Sequence, residues 1–339
     1  MPRRVANVLL GAGVLGLVAT GLAGWLLPFE PALALFDLHR ALGAAALLVV
    51  AAWKWRIAAR SLRRRLVRPP GAGQGYDRTV WGGLTAAALL VGAFGLGLAW
   101  TLGLLSYQSL RGYSPLNLHV YLGLALVPAL LPHLLQRWEG WPRPIEARGR
   151  RTALRALGLS IGALALWRGL EALAASPGRR MTGSKHAGSF SGNAYPVTIW
   201  TFDGVPAIDR EGWRLKVLGK VERPGEIGYD ELAGSFPARE RAITLDCTGG
   251  WWSEQLWRGV ALRDVLVSRG PLAGARGVDV RSLTGHSWSF RIDELDEALL
   301  ATHVGGEELT PGHGYPVRLA VPGRRGFQWV KWVDRVEVY

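Results

Sequence analysis

Hydrophobic and polar positions divide the chain into two unlike parts. Long apolar runs occupy residues 8–27, 39–58, 81–105 and 118–136, and each is close to the ~20 residues a helix needs to cross the hydrocarbon of a bilayer. The pattern predicts four transmembrane helices. A weaker apolar stretch reaches Ala175 and is interrupted by Arg168 and Glu171, which stand three apart, placed for a helical ion pair within reach of headgroups. It predicts a fifth, connecting span. From Gly183 onward the runs are short and alternating or β-branched, with Gly and Pro between them. Strands are expected at Trp213–Leu218, Gly277–Ser282, Tyr315–Val321 and Val333–Tyr339, and short helices at Tyr229–Ser235, Leu262–Ser268 and Asp293–Thr302. There is no βαβ alternation, so the fold class is a membrane all-α bundle followed by an α+β domain. The expected boundaries are 1–148 for the four-helix part, 149–182 for the fifth span and linker, and 183–339 for the mixed domain.

Charge sharpens this picture. Forty Lys and Arg against 26 Asp and Glu give a formal net charge of +14, a balance that on a folded surface would suggest nucleic acid. Here the arginines crowd the gaps between apolar runs, so they read as a topology signal and nucleic acid is not an expected partner. Arg3 and Arg4 precede the first run, Lys54 to Arg68 follow the second, and Arg137 to Arg151 follow the fourth. The 28–38 and 106–117 connections carry almost no positive charge. By the positive-inside rule the N-terminus and the 59–80 and 137–152 loops face the cytoplasm, and a fifth span carries everything after about residue 176 to the other side. The expected location is a bacterial cell membrane, multi-pass, with the mixed domain extracytoplasmic. No GxGxxG or phosphate loop points to a nucleotide enzyme.

The apolar half repeats itself about 80 residues apart: Asp37-Leu-His39-Arg-Ala-Leu-Gly43 against Asn117-Leu-His119-Val-Tyr-Leu-Gly123. Each histidine is expected to open an even-numbered helix, at one depth near the outer face, with each glycine one turn further on. An intramembrane histidine needs a partner or a task, and two at equal depth can clamp one flat macrocycle from both sides. The other reading is a pair of interfacial histidines bonded to backbone or water. The repeat resembles four-helix b-type cytochromes, which implies haem b with His39 and His119 as iron ligands and the glycines letting the ring lie close. His133, 14 residues after His119, is a further candidate for a second haem, a quinone site or an interfacial residue. Its expected partner position holds Trp53.

The chemistry of the second half gathers at Ile243–Leu262, which holds the only cysteine, Cys247, before a glycine pair and the tryptophans 251, 252 and 257. A lone cysteine without CxxC spacing is a buried thiol, a nucleophile or a single thiolate ligand to a soft metal. The run C-x-x-x-W-x5-W-x-G-x-x-L, then His313-Gly-Tyr-Pro-Val-Arg318-Leu-Ala-Val-Pro-Gly and Gly326-Phe-Gln-Trp-Val-Lys-Trp-Val, resembles the molybdopterin domain of the sulfite oxidase family over roughly residues 185 to 339. The branch containing the periplasmic methionine-sulfoxide reductase catalytic subunit looks nearest.

That resemblance implies a molybdenum-molybdopterin cofactor with Cys247 as metal ligand and catalytic residue. It implies that Asn193 contacts the pterin, that Ser282 gives a hydroxyl to the cofactor, and that His313 and Arg318 supply a polar side chain and a phosphate-binding guanidinium. Trp329, Val330 and Lys331 would finish the phosphate site with backbone groups and a lysine. Arg150 and Arg151 followed by Leu154 and Arg155 resemble a twin-arginine export signal, which would carry a domain folded around its cofactor across the membrane. Ala172-Leu-Ala174 offers a cleavage site, although the segment is expected to stay as an anchor.

Sulfite oxidases usually show Arg-Asn-His near the domain start and arginines just after the cysteine. This chain has Gly192-Asn-Ala and Thr248-Gly-Gly-Trp-Trp. An aromatic rim of Trp251, Trp252 and Trp257 suits a thioether-like group, and a chain ending at Tyr339 is expected to lack the immunoglobulin-like dimerisation domain of sulfite oxidases. The expectation is a membrane-anchored molybdenum oxidoreductase with fused haem b, reducing a small or protein-bound sulfoxide with electrons from the quinone pool or another electron-transfer partner. A sulfite or other oxyanion dehydrogenase is the second reading, and a non-catalytic haem conduit or sensor the third.

Overall fold

The computed structural model describes residues 3–50, 55–56, 58–60, 63, 79–106, 113–136, 140–141, 149–174, 178–199 and 203–339. The chain forms two compact units, residues 1–27 with 31–183 and residues 28–30 with 184–339.

The first unit contains α1 (Arg3–Leu26), α2 (Phe29–Val49), α3 (Thr79–Thr101), α4 (Pro115–Gln136) and α5 (Arg150–Ala174), and all five are long and apolar enough to cross a membrane. α2 starts ten residues before the apolar run expected to form it. Pro31 falls in its first turn, where a missing N–H matters least, and Glu30 favours the positive end of the helix. Asp37 and Arg40, which look like a break in an apolar helix, pair with each other at 3.0 Å. His39 therefore lies in the middle of α2 instead of opening it. Residues 51–54 of the expected run, Trp53 among them, lie outside the described residues.

α4 starts on a reciprocal cap. Asn117 N–H donates to Ser114 Oγ and Ser114 N–H donates to Asn117 Oδ1, both at 3.1 Å, with Pro115 at the first helical position. The helix continues through Pro128 and Pro132. Val14, Ala86 and Leu126 make a small core joining α1, α3 and α4, with Leu10, Leu89, Leu90 and Leu130 around it. The expected Arg168–Glu171 pair is replaced. Glu171 meets Arg40 Nε at 3.4 Å, and the Arg168 guanidinium lies 4.6 Å from the Trp167 ring centroid.

The second unit is α+β. Its strands are β1 (Lys185–His186), β2 (Arg214–Gly219), β3 (Gly225–Gly228), β4 (Ala238–Asp246), β5 (Trp251–Ala261), β6 (Gly277–Ser282), β7 (Ser287–Arg291), β8 (Leu299–Val304), β9 (Glu307–Glu308), β10 (Arg318–Ala320) and β11 (Val333–Val338). Helices α6 (Tyr229–Ser235) and α7 (Leu262–Arg269) are short, as expected. One sheet runs β1-β5-β8-β10, with β4 on β5 and β9 on β8; the other runs β3-β2-β11-β6-β7. In the second sheet Leu215, Val217, Val278, Val280, Val336 and Val338 are all buried, at alternate positions along their strands.

The helix expected at Asp293–Thr302 is a short 3-10 turn, Ile292–Leu295, followed by the strand β8. β8 pairs with β5 on one side and β10 on the other. A strand held centrally in this way is apolar on both faces, so Leu299-Leu-Ala-Thr lacks the alternation that would have marked it.

Sheet pairing at β5 and β8 depends on Gly259, beside a register shift between Arg258 and Gly259. A Cβ there would stand 2.1 Å from the carbonyl oxygen of Leu300. Gly259→Ala is expected to destabilise the protein by about 3 kcal/mol or more, seen as a lowered unfolding midpoint in detergent; an unchanged midpoint would contradict this packing.

Candidate functional site

Cys247 sits where β4 ends, in a tight turn closed by Gly250 N–H donating to Cys247 O (3.0 Å) and Cys247 N–H donating to Trp251 O (2.8 Å). The turn needs its glycines. Gly250 has φ +88°, and Gly326, from the far segment, approaches so closely that a Cβ would stand 3.1 Å from Cys247 Cα. The thiol is buried, and Gly249 N–H donates to Sγ at 3.3 Å. Burial pushes its pKa up, while Gly249, the Thr198 hydroxyl, Arg325 and Lys331 pull the other way. Alone it stays a thiol; a soft cation would bind it as thiolate.

Two cations converge beside it. Arg318, on β10, is 2% exposed, and its Nη1 donates to Tyr195 Oη (3.1 Å) and His313 O (2.9 Å). Its guanidinium lies over Trp257 at 5.0 Å and Trp329 at 5.3 Å. Lys331 Nζ donates to the carbonyls of Thr198 (2.7 Å) and Gly312 (2.6 Å). What lets them approach is Gly314, at φ +108°, where a Cβ would meet Arg318 Cβ at 2.9 Å and Lys331 Cβ at 3.2 Å. Trp332, also at positive φ, turns the chain after Lys331 and anchors through Nε1 to Pro311 O at 2.8 Å.

No carboxylate pairs with either cation among the described residues. Burial first, and then the charge of Arg318, push Lys331 down to about 7. Arg318 Nε is buried without a hydrogen bond among the described residues. Like charges left together in this way fit an anionic oxygen ligand, and the donor set suits both the phosphate and the metal of molybdopterin.

The remaining expected residues are less direct. His313 is buried, with Nε2 at 2.9 Å from Tyr195 O and Nδ1 at 2.6 Å from Thr310 Oγ1. Burial holds it down to about 4, hence neutral. Asn193 Nδ2 donates to Glu307 and to Glu308 O, and its Oδ1 accepts from Thr310 N–H. It clamps the segment leading to His313. Ser282 bonds the Thr284 hydroxyl at 3.0 Å, which in turn donates to Asp203. Val330 is buried, and its carbonyl accepts from Leu319 N–H at 2.7 Å. Trp329 meets Trp257 edge to face, with ring centroids 5.4 Å apart.

The expected aromatic rim does not form. Trp257 is fully buried beneath Arg318 and Trp252 stacks on His186 at 4.5 Å; only Trp251 adjoins the thiol, with its Nε1 donating to Thr198 Oγ1 at 3.0 Å. Alternation along β5 explains this, since 251 and 257 share a face that 252 does not. Tyr195, Thr198 and Gly314 are not marked by the sequence, although Tyr195 and Thr198 lie within five residues of Asn193.

A second constellation lies in the first unit. The rings of His39 and His119 stand 5.9 Å apart between centroids, at 80° to each other. His39 Nδ1 is 3.0 Å from Leu17 O and 3.2 Å from Thr20 Oγ1, and His119 Nδ1 is 2.7 Å from Ala93 O. With Nδ1–H given to a carbonyl, Nε2 is the metal-facing nitrogen, and it makes no hydrogen bond among the described residues. One metal ion at about 2 Å from each of two imidazole nitrogens would set the centroids roughly 6 Å apart, so the separation suits two imidazoles on one metal ion. Two further glycines make room for the imidazole rings. A Cβ at Gly21 would meet His39 Cε1 at 3.3 Å, and one at Gly97 would meet His119 Cε1 at 3.1 Å. The side chain of His133 lies outside the described residues.

A thiol in a β-turn, an aromatic-boxed arginine and a lysine on an α+β frame define a cofactor-binding oxidoreductase domain. Oxidoreductase molybdopterin-binding domains match residues 202–339, and the C-terminal part of the chain is such a domain, sulfite oxidase-like in kind. Nitrate reductase (NADH) from Spinacia oleracea is 33% identical over 168 residues, covering 40% of this chain and 18% of that protein. Nitrate reductase (NADH) from Hordeum vulgare is 34% identical over 170 residues, with shares of 40% and 18%. The chain thus spans about a fifth of these curated relatives. A chain of the sulfane dehydrogenase SoxCD from Paracoccus pantotrophus aligns at 27% identity and TM-score 0.39, over 40% of each chain.

The neutral His313 ties stability to pH. As pH falls below 6.5 the unfolded chain takes up this proton first, while the folded protein resists until about 4. Stability should therefore drop by about 2 kcal/mol across that window and level off beneath it. Denaturant titration of the parent and of His313→Gln checks this: the variant should lose that part of the slope, and equal slopes would refute it.

Proposed function

We propose that this chain is a membrane-anchored molybdenum-cofactor oxidoreductase carrying its own haem b. The observation that carries the reading is the single buried thiol of Cys247 beside Arg318 and Lys331, two cations with no carboxylate partner among the described residues. Bound there, the cofactor supplies a molybdenum centre that exchanges an oxygen atom and two electrons with a substrate. Cys247 would hold it as thiolate, and Arg318 and Lys331 would grip its phosphate. Lys331, with two N–H groups on carbonyls, would offer its third to the anion, which would hold it protonated. Trp251 and Thr198 stand next to the sulfur.

His39 and His119 would present Nε2 to one haem iron, and the five apolar helices would span the bilayer. A quinone pool is the electron source this layout suits, with the molybdopterin domain on the outer side. A sulfoxide-type substrate is supported by the sequence Thr248-Gly-Gly-Trp251 after the cysteine, which brings an indole and no cation. An oxyanion is the second reading, favoured by the 33–34% identity to nitrate reductases.

Metal analysis and a reduced-minus-oxidised spectrum on detergent-purified protein test the core of this reading. About one molybdenum per chain and a b-type signal are expected. Cys247→Ala should keep the haem signal and lose turnover by at least about a hundredfold; His39→Ala should keep molybdenum and lose the haem signal. A cofactor-loaded parent without haem would remove the conduit, and parent-like activity in Cys247→Ala would remove the metal-site assignment. Turnover with methyl sulfoxides but not with nitrate or sulfite supports the first substrate class; the reverse supports the second.

A further inference from the structure

Among the described residues, the ion pairs around His39 leave Arg179 without a carboxylate partner. Arg40 follows His39 on α2; it pairs with Asp37 and Glu171, at 3.0 and 3.4 Å, and also donates to Met181 O. Arg179, in the segment after α5, reaches the carbonyls of Thr101 and Ala174 through Nη1, both at 3.4 Å. These are the last residues of α3 and α5, so this nitrogen caps two helix C-termini, where the dipole favours a cation.

Capping does not account for Nε of Arg179, which is buried and makes no hydrogen bond among the described residues. Burial and then the charge of Arg40 push its pKa down, and Glu171, which opposes this, is already engaged by Arg40. An anionic oxygen ligand would satisfy both the charge and the free donor.

Position indicates which anion. Arg40 is the residue after His39. Thr101 lies eight residues beyond Ala93, whose carbonyl holds His119, or about 12 Å along α3. The Arg40 guanidinium meets Glu171, one turn before Ala174, and the Met181 carbonyl, so both arginine heads gather at the C-terminal ends of α3 and α5, beyond the Ala93 carbonyl that holds His119. We propose that Arg179, backed by Arg40, receives a propionate carboxylate of the haem held by His39 and His119; this rests on the haem reading above. A lipid phosphate shares the chemistry and is the competing source.

A cation at the haem edge favours the reduced centre, so Arg179→Gln should shift the ferric-to-ferrous ratio about tenfold at fixed ambient potential. That is a midpoint lowered by about 59 mV for one electron. Arg179→Lys should retain most of the parent value. In Arg179→Lys, which keeps the charge, the resonance Raman propionate-bending band should still move.

A parent-like midpoint in Arg179→Gln with native haem overturns the proposal. So does a fixed propionate band in Arg179→Lys. Loss of co-purifying anionic phospholipid with the midpoint unmoved would assign the site to lipid phosphate. A parent that binds no haem would instead overturn the haem reading itself.

Discussion

Arg318 is nearly inaccessible to solvent and lies beside Lys331, with no carboxylate partner among the described residues. Burying an unpaired charge costs several kcal/mol even after relaxation, so much of the surrounding structure is arranged to reduce that penalty. Tyr195 and the His313 carbonyl accept its N–H groups, and Trp257 and Trp329 offer ring faces. These neighbours are neutral. An ion pair would have satisfied the guanidinium fully; a neutral box holds it in place with its charge uncompensated. That arrangement sacrifices stability for a standing affinity for anions, and it makes Gly314, the wedge between the two cations, as necessary as the cations themselves.

How much of this the sequence discloses depends on whether a residue acts through its own chemistry or through its neighbours. Cys247, Arg318 and Lys331 are legible because a lone soft ligand and ordered basic positions carry their meaning in their type. Tyr195 and Gly314 act by proximity to segments far away in the chain, so no local pattern marks them. The strands Gly277–Ser282 and Val333–Val338 are legible because one face is buried and the other is not. β8 was missed because both its neighbours are strands, which removes the alternation. The tryptophans are the opposite case: alternation was available along β5 and would have put Trp252 on the other face from Trp251 and Trp257.

In the helical unit the misreading is also physical. Asp37, His39 and Arg40 look like the polar start of a helix, yet α2 runs through them because each polar group finds a partner. Asp37 and Glu171 take Arg40, and the Leu17 carbonyl takes His39. A polar cluster inside an apolar helix is tolerable when it is closed in this way. The repeat around the histidines was visible, but its supporting half was not. Leu17 with Gly21, and Ala93 with Gly97, are each a carbonyl followed four residues later by a glycine, on the helices facing the histidines. The repeat therefore extends to α1 and α3, where neither residue type attracts notice.

The same local device recurs in both units. At His39 and His119 a backbone carbonyl takes one ring nitrogen and a glycine makes room for the ring, leaving the other nitrogen available. At Lys331 and Arg318, carbonyls of Thr198, Gly312 and His313 take N–H groups while Gly314 makes room for the stems. Backbone carbonyls are well suited to this task because they orient a donor without neutralising it. A carboxylate in their place would cancel the positive charge of Arg318 and Lys331, or raise the basicity of the imidazoles. Held by carbonyls, the arginine remains electrostatically uncompensated and the imidazoles remain neutral donors of a lone pair. These are the states that an anionic cofactor and a metal ion each require before they arrive.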